Sequence, residues 1–334
     1  MPGSANQRLK LLYLQRIFQE RTDEDHPLTV QELEQALEEY GIAAQRKSLY
    51  SDIEALRGFG MDIVARRGCR YVGYFLGNRD FQLPELRLLL DAVQSSRFIT
   101  HRKSTQLIRK LEGLASVHQA GQLRRHVFVY DRVKTDNERI YLNVDALNTA
   151  IAQGRKVSFR YFDYTPRKEK AARNGGAPYV VSPYALSWAE DNYYLIAHHP
   201  KYKDISHFRV DRMQDITVLP EPVQNIREVT GQLTLNVAEY SRALFGMFAG
   251  TPMELSIRFD NSLVNTVIDR FGEEVDLDPG EGSFVAHVRV EVSPAFYSWM
   301  MLFGPKAEIL SPPEAREGLR SRARALAELY RETE

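Results

Sequence analysis

Between residues 179 and 213 the chain reads YVVSPYALSWAEDNYYLIAHHPKYKDISHFRVDRM, a stretch of strand-like runs that carries tyrosines, His207, Arg209 and Arg212 among apolar residues. Period-two alternation from Ile205 sets His207 and Arg209 on one side of a strand, about 7 Å apart, while Phe208 and Val210 face the other way. One side can pack and the other can carry charge. Upstream, Val157, Phe159 and Tyr161 alternate with Ser158, Arg160 and Phe162, which gives a strand with apolar content on both faces, as in a barrel. The segment 163–178 between them is long and basic, with Arg167, Lys168, Lys170, Arg173, Gly175 and Gly176. It is either a flap over a ligand or a surface insertion.

The polar face has a definite chemistry. Arg209 and Arg212 offer forked donors to a phosphate, His207 can donate or accept near neutral pH, and Tyr161 and Tyr184 can stack on a base or hydrogen-bond an oxyanion. Aromatic stacking beside a cationic groove suits single-stranded nucleic acid. Each residue taken alone has a structural alternative: His207 can satisfy a barrel carbonyl, Arg212 can pair with Asp211 or Asp215, and Tyr193 and Tyr194 fit a core. The stretch resembles the WYL domain of bacterial regulators, through Tyr193-Tyr194-Leu195 (Tyr in place of the name-giving Trp), Ser182-Pro183-Tyr184 and the run from His207 to Arg212. The resemblance implies an Sm/SH3-like β-barrel with a pocket for a nucleotide or short single-stranded nucleic acid, formed by Tyr161, Ser182, Tyr184, His207, Arg209 and Arg212.

Towards the amino terminus, Leu9, Leu12 and Ile17 at helical spacing predict a helix over 7–21. Thr29 followed by Glu32 is a capping box that opens a second helix, with Leu33, Ala36 and Leu37 as its buried stripe and Gly41 as its stop. A third helix, 44–57, buries Leu49, Ile53 and Leu56 and displays Arg46, Lys47, Tyr50, Ser51 and Arg57. Residues 63–74 read as a hairpin with Arg66, Arg67 and Arg70 near its tip. Such a unit fits a winged helix-turn-helix whose third helix enters the major groove of double-stranded DNA, with Gln45, Arg46, Lys47, Ser48, Tyr50, Ser51, Arg66, Arg67 and Arg70 as contacts. A merely solvated basic face is the simpler alternative. The run KSLYSDIEAL also resembles the recognition helix of the DeoR-like winged helices that precede WYL domains, with Ser51 where those proteins often carry Arg.

Leu83-Pro84-Glu85 starts a helix using Leu86, Leu89, Leu90 and Val93, and a second, 104–117, uses Leu107, Leu111 and Leu114. These form a helical connector, which in the family helps to build homodimers. Beyond residue 250, a strand at 255–259, a helix at 262–271, a strand at 284–292 after the turn at 278–282, a helix at 294–303, a strand at 307–310 and a helix at 314–331 suggest a ferredoxin-like unit. It resembles the WCX extension that follows WYL domains, down to Phe303-Gly304 and Glu308-Ile309-Leu310.

The bulk properties set limits on this reading. With 334 residues the chain exceeds one ordinary core. Net charge is zero, but residues 79–143 hold 12 basic and 7 acidic side chains, whereas 221–334 hold 11 and 18. That asymmetry can orient a nucleic-acid partner in the middle and disfavours one at the acidic end. Cys69 is the single cysteine, so neither an intrachain disulfide nor a cysteine-based zinc cluster is expected. No apolar run reaches the roughly 20 residues of a membrane span, residues 1–10 lack a signal-peptide centre, and a cytoplasmic location is expected. Nucleotide-binding glycine loops, HExxH and nucleophile elbows are absent, His198-His199 is a poor metal pair, and no catalytic residue, cofactor or metal is expected. The expectation is a multidomain α+β chain: winged helix-turn-helix at 1–76, connector at 77–139, WYL barrel at 140–222 and WCX unit at 223–334. Its expected role is a homodimeric, ligand-responsive transcription regulator. The alternative is a constitutive nucleic-acid-binding or defence-associated regulator whose barrel contacts nucleic acid or partners without sensing a small ligand.

Overall fold

The structure, a computed structural model, describes residues 9–68, 71–123, 134–135, 137–202, 204–231 and 236–331. The chain divides into two compact units, Met1–Glu138 and Arg139–Glu334.

The first unit opens with α1 (Lys10–Arg21), β1 (Leu28–Thr29), α2 (Val30–Glu38) and α3 (Arg46–Gly58), followed by β2 (Ile63–Arg67) and β3 (Val72–Leu76). The strands form an antiparallel sheet in the order β1-β3-β2. The capping box at α2 is present as expected: the Glu32 main-chain N–H donates to the Thr29 hydroxyl, and the Glu32 carboxylate accepts from the Thr29 main-chain N–H at 2.7 Å. Gly41 sits at φ 70°, the left-handed backbone that lets the chain leave α2 without a Cβ penalty. Leu33, Leu37, Leu49 and Ile53 fill the core as the periodicity requires. On α1 the buried face is Leu14, Ile17 and Phe18, whereas Leu9 and Leu12, which share the helical spacing, are exposed. Residues 14, 17 and 18 share one helical face, and positions 9 and 12 lie off it.

The helices α4 (Leu83–Ser95), α5 (His101–Glu112) and α6 (Val117–Leu123) follow. The helix expected over 104–117 begins earlier, where the Thr100 hydroxyl accepts from the Lys103 N–H, and ends at Glu112 before Gly113. Its breakage leaves Leu114 exposed, and Leu86, Leu90, Ala115 and Leu123 make the small core instead. The Lys134 ammonium donates to the carbonyl of Ser96 at 2.7 Å and to the Ser104 hydroxyl at 3.0 Å. The rest of the predicted connector, residues 124–133 and 136, lies outside the described residues.

A buried polar joint ties α1 to this helical part. The Asp23 carboxylate accepts from the Ser116 hydroxyl, from His26 Nδ1 at 2.7 Å and from the main-chain N–H groups of Asp25 and His26. His118 stacks on His26 with ring centroids 3.7 Å apart. Arg79 reaches the Thr22 carbonyl at 2.7 Å. A buried carboxylate is tolerated because every oxygen is hydrogen-bonded.

The second unit starts with α7 (Ile140–Ala152), a helix not anticipated from the sequence, whose Asn143 amide donates to the Met213 carbonyl at 3.2 Å. Then come β4 (Arg155–Tyr164), β5 (Lys170–Ala172), β6 (Tyr179–Ala189), β7 (Asn192–His198), β8 (Ile205–Arg209) and β9 (Met213–Pro222). The strands run antiparallel in the order β5-β4-β6-β7-β8, with β9 also paired to β4. The basic 163–178 segment folds back as β5 on the end of β4. In a flat sheet β4 and β8, three strand spacings apart, would be separated by about 14 Å. Instead Phe208 of β8 meets Phe159 and Tyr161 of β4 at ring distances of 5.2 and 5.5 Å, and the Arg209 N–H donates to the Tyr161 hydroxyl at 3.1 Å. The sheet is curled into a half-barrel around Phe159, Tyr161, Tyr179 and Phe208. A fully buried Phe such as Phe159 contributes about 2–3 kcal/mol to this closure.

Two short helices, α8 (Ile226–Thr230) and α9 (Val237–Ala243), lead to β10 (Thr251–Asp260), α10 (Val264–Phe271), β11 (Asp276–Pro279), β12 (Ser283–Val292), α11 (Pro294–Met301), β13 (Ala307–Ser311) and α12 (Pro313–Leu329). The sheet order is β11-β12-β10-β13, all antiparallel. Phe259, Val267, Phe296, Met300 and Ala315 join this sheet to its helices. The sequence places Asp278 and Pro279 in a turn, but they end β11. Pro279 fits there because β11 is an edge strand. Among the described residues no helix is long and apolar enough to cross a membrane.

Candidate nucleic-acid interface

The curl of the second unit brings three arginines from distant parts of the chain to Tyr161. The Arg209 guanidinium, at the end of β8, makes a two-pronged contact with Asp211 at 3.0 and 2.9 Å and donates to the Asn192 side-chain oxygen at 2.7 Å. Arg212, in a single 3-10 turn between β8 and β9, donates to Asp163 at 3.2 Å. Arg173, just past β5, donates to the same Asp163 and lies over the Tyr161 ring at 5.4 Å. Tyr161 is buried, and burial holds its hydroxyl protonated beyond the usual phenol range. Burial works against the Arg209 charge, and the Asp211 carboxylate outweighs it, so the guanidinium keeps its proton more firmly than usual.

The other expected pocket residues lie apart from this cluster in their contacts. The Ser182 hydroxyl accepts from the Gln224 N–H at 2.9 Å and the Tyr184 hydroxyl donates to the Gln224 carbonyl at 3.1 Å, so both clamp the chain leaving β9. Burial pushes the Tyr184 hydroxyl up to about 12. His207 faces α9, where its Nε2 shares a hydrogen bond with Tyr240, and burial lowers the imidazole to about 4. It is therefore a neutral ring at physiological pH and no partner for a phosphate charge. Tyr194 belongs to the core between β7 and α9. The alternative partners considered for Arg212 are otherwise engaged: Asp211 holds Arg209, and Asp215 faces Arg160 at 3.7 Å.

Sequence reasoning missed Asp163 and Asn192 as members of the cluster, offered Asp211 to Arg212 where the structure gives it to Arg209, and saw Arg173 only as loop charge. Asp163 was legible, since it stands two positions from Tyr161 on a strand and so shares its face. An aromatic patch was also missed: His199 packs against Tyr179 at 5.5 Å and against Tyr202 at 5.3 Å, and Tyr179 feels the charges of Arg173 and Asp163. Among the described residues no group of three or more His, Cys, Asp or Glu side chains could hold a metal ion.

In the first unit, Gln45, Arg46, Lys47, Tyr50 and Ser51 lie exposed on or at the start of α3. Arg46 donates to the Tyr50 hydroxyl at 3.3 Å and its guanidinium lies 5.9 Å from that ring, which pre-orders both side chains. Ser48 is half-buried, its hydroxyl accepting from Lys10 at 2.5 Å, and Lys10 also pairs with Asp52 at 2.6 Å. Arg57, expected on the outer face, is turned inward to the Ile63 carbonyl at 2.8 Å and Glu54. On β2, Arg67 is exposed, while Arg66 donates to the Glu24 carbonyl at 2.6 Å. Arg70 lies outside the described residues.

A helix followed by a curled antiparallel sheet, with an arginine cluster where the curl brings β8 to β4, precedes a four-stranded antiparallel sheet packed with helices. Residues 143–218 match the model of the WYL domain and residues 251–327 that of the WCX domain. The second unit thus carries a WYL domain followed by a WCX domain. Similar solved structures include proteasome accessory factor B/C (PafBC) of Arthrobacter aurescens, 16% identical, with 97% of this chain and 49% of that chain covered and a TM-score of 0.29. Another is described as a CRISPR Cas-related protein, 17% identical, with 66% and 60% covered and a TM-score of 0.36. The chain thus spans about half the length of the first and three fifths of the second, and likenesses of this size carry no weight for fold or function. No curated protein matches the chain.

Proposed function

We propose that the chain is a cytoplasmic transcription regulator that binds a double-stranded DNA operator through its first unit and a nucleotide or short single-stranded nucleic acid through its WYL domain, as a homodimer. The observation that carries this reading is the convergence of Arg173, Arg209 and Arg212 on two carboxylates, Asp163 and Asp211, beside Tyr161. Forked donors that retain an excess of positive charge next to aromatic rings suit a phosphate and its base. The three helices and small sheet of residues 10–76 support a winged helix, whose α3 would enter the major groove with Arg46, Lys47 and Tyr50 foremost. The order β9-β4-β6-β7-β8 supports an Sm-like barrel, and β11-β12-β10-β13 supports a ferredoxin-like WCX unit. Domain limits of 1–76, 77–139, 140–222 and 223–334 follow this division. A ligand that prefers one arrangement of the WYL domain would shift operator affinity by its difference in binding to the two states.

Two titrations test the proposal. Arg46→Ala with Lys47→Ala should abolish binding to operator DNA recovered by genomic footprinting, with the fold intact. Arg173→Ala with Arg212→Ala should abolish binding of fluorescent single-stranded oligonucleotides to the WYL domain within the full chain. Unchanged affinities would overturn the respective assignments, and operator affinity indifferent to every ligand that binds would favour a constitutive regulator.

A further inference from the structure

The arginine cluster has a countable charge. Arg173, Arg209 and Arg212 supply three positive charges, and Asp163 and Asp211 supply two negative ones. Glu190, another carboxylate near Tyr194, is itself close to Arg270. The arginine cluster is closed at one end and open at the other, with Asp211 15% exposed, Arg209, Arg212 and Asp163 about a third exposed and Arg173 52% exposed. Its surplus is therefore one positive charge, incompletely screened. The two carboxylates are not equivalent, since Asp211 serves one arginine through two prongs and Asp163 is divided between two. Asp163 thus occupies the place between Arg173 and Arg212 where an incoming anion would find the most donors.

We propose that this site selects a group with a single negative charge, the phosphodiester, over the doubly charged phosphomonoester, and that Asp163 is the residue that sets this preference. The proposal rests on the reading of the cluster as an anion site. Attraction to the surplus charge grows in proportion to the ligand's charge, while the cost of taking that charge out of water grows as its square. One negative charge neutralises the cluster. A second finds no surplus left among the five side chains of the cluster and faces Asp163 and Asp211 at close range. A linear strand offers internal diesters, and a free nucleotide offers a terminal monoester, so the preference separates oligonucleotides from the mononucleotide pool.

The test compares each of the four common nucleoside 5′-monophosphates with its methyl diester, which differs by one methyl and one charge, by calorimetry at pH 7.5 on the full chain. A single-stranded oligonucleotide without terminal phosphates serves as a third probe. In the wild type the diester of the best base should bind about tenfold tighter than its monoester. In Asp163→Asn the surplus becomes two, monoester affinity should rise, and the ratio should fall to about one or invert. Contact by the methyl group itself would act alike in both proteins, so a ratio unchanged in the variant overturns the role of Asp163. A monoester that binds the wild type as tightly as its diester overturns the selectivity alone. Failure of every probe, the oligonucleotide included, overturns the anion site and the selectivity with it.

Discussion

His207 and Tyr240 share a hydrogen bond of 3.1 Å with their rings stacked 5.6 Å apart, and the imidazole lies low, at about 4, because it is buried. In the unfolded chain a histidine takes up its proton near pH 6.5. Between those values the unfolded state binds the proton and the folded state does not, so the stability that His207 contributes is complete above pH 6.5 and is lost as pH falls towards 4. The full loss is about 3 kcal/mol. Urea unfolding followed by tryptophan fluorescence reads this directly, because both tryptophans, Trp188 and Trp299, lie in the second unit. His207→Gln should flatten the profile between pH 7 and 5, and an unflattened profile would assign the effect elsewhere.

Tyr161→Phe removes the acceptor of the half-buried Arg209 N–H without emptying the core. The orphaned donor should cost about 1–2 kcal/mol in the second unit. The same substitution should weaken oligonucleotide binding, because Arg209 loses its fixed position against β4. Equilibrium unfolding and oligonucleotide titration of one preparation measure both.

Lys10 and Asp52 form a pair whose side chains are 12% and 15% exposed, and it joins α1 to α3. Asp52→Ala strands the ammonium and should destabilise the first unit by about 3 kcal/mol. Adding Lys10→Met should restore much of that loss, which a double-mutant cycle by thermal melting quantifies. Operator affinity should follow the same pattern, since the pair sets the angle at which α3 is presented.

Ser116→Ala takes one donor from the buried Asp23 carboxylate. A loss of about 1–3 kcal/mol in the first unit is expected, read by chemical denaturation. Ser116→Thr, which keeps the hydroxyl, should recover part of it.

The sequence revealed most where one period dominates. The Thr29 and Glu32 capping box, the stripe Leu49, Ile53 and Leu56, and the alternation that buries Phe208 are local patterns, and the structure has each of them. The spacing of Leu9, Leu12 and Ile17 predicted a helix that is present, but which of its faces is covered is told only by tertiary packing, and Leu9 and Leu12 are exposed. The cluster at Tyr161 was half legible. Arg209 and Arg212 were visible as charges on a strand, but their partners Asn192 and Asp163 are 17 and 49 residues away, and which carboxylate meets which arginine is decided by the curl of the sheet. His207 shows the limit of face arithmetic: alternation gave its side of β8, whereas the arrival of Tyr240, 33 residues later, decided that this ring is engaged and covered.

The curl described for β4 and β8 also fixes when the cluster at Tyr161 can assemble during synthesis. Tyr161 and Asp163 leave the ribosome early, Arg209 and Arg212 late, and β9, which pairs with β4 beside β6, comes last. A nascent chain cut before residue 213 holds both halves of the site yet lacks the strand that pairs along the other edge of β4. The contacts around Tyr161 therefore become available only after β8 and the turn that follows it have been made, and the strand that covers the other edge of β4 comes later still.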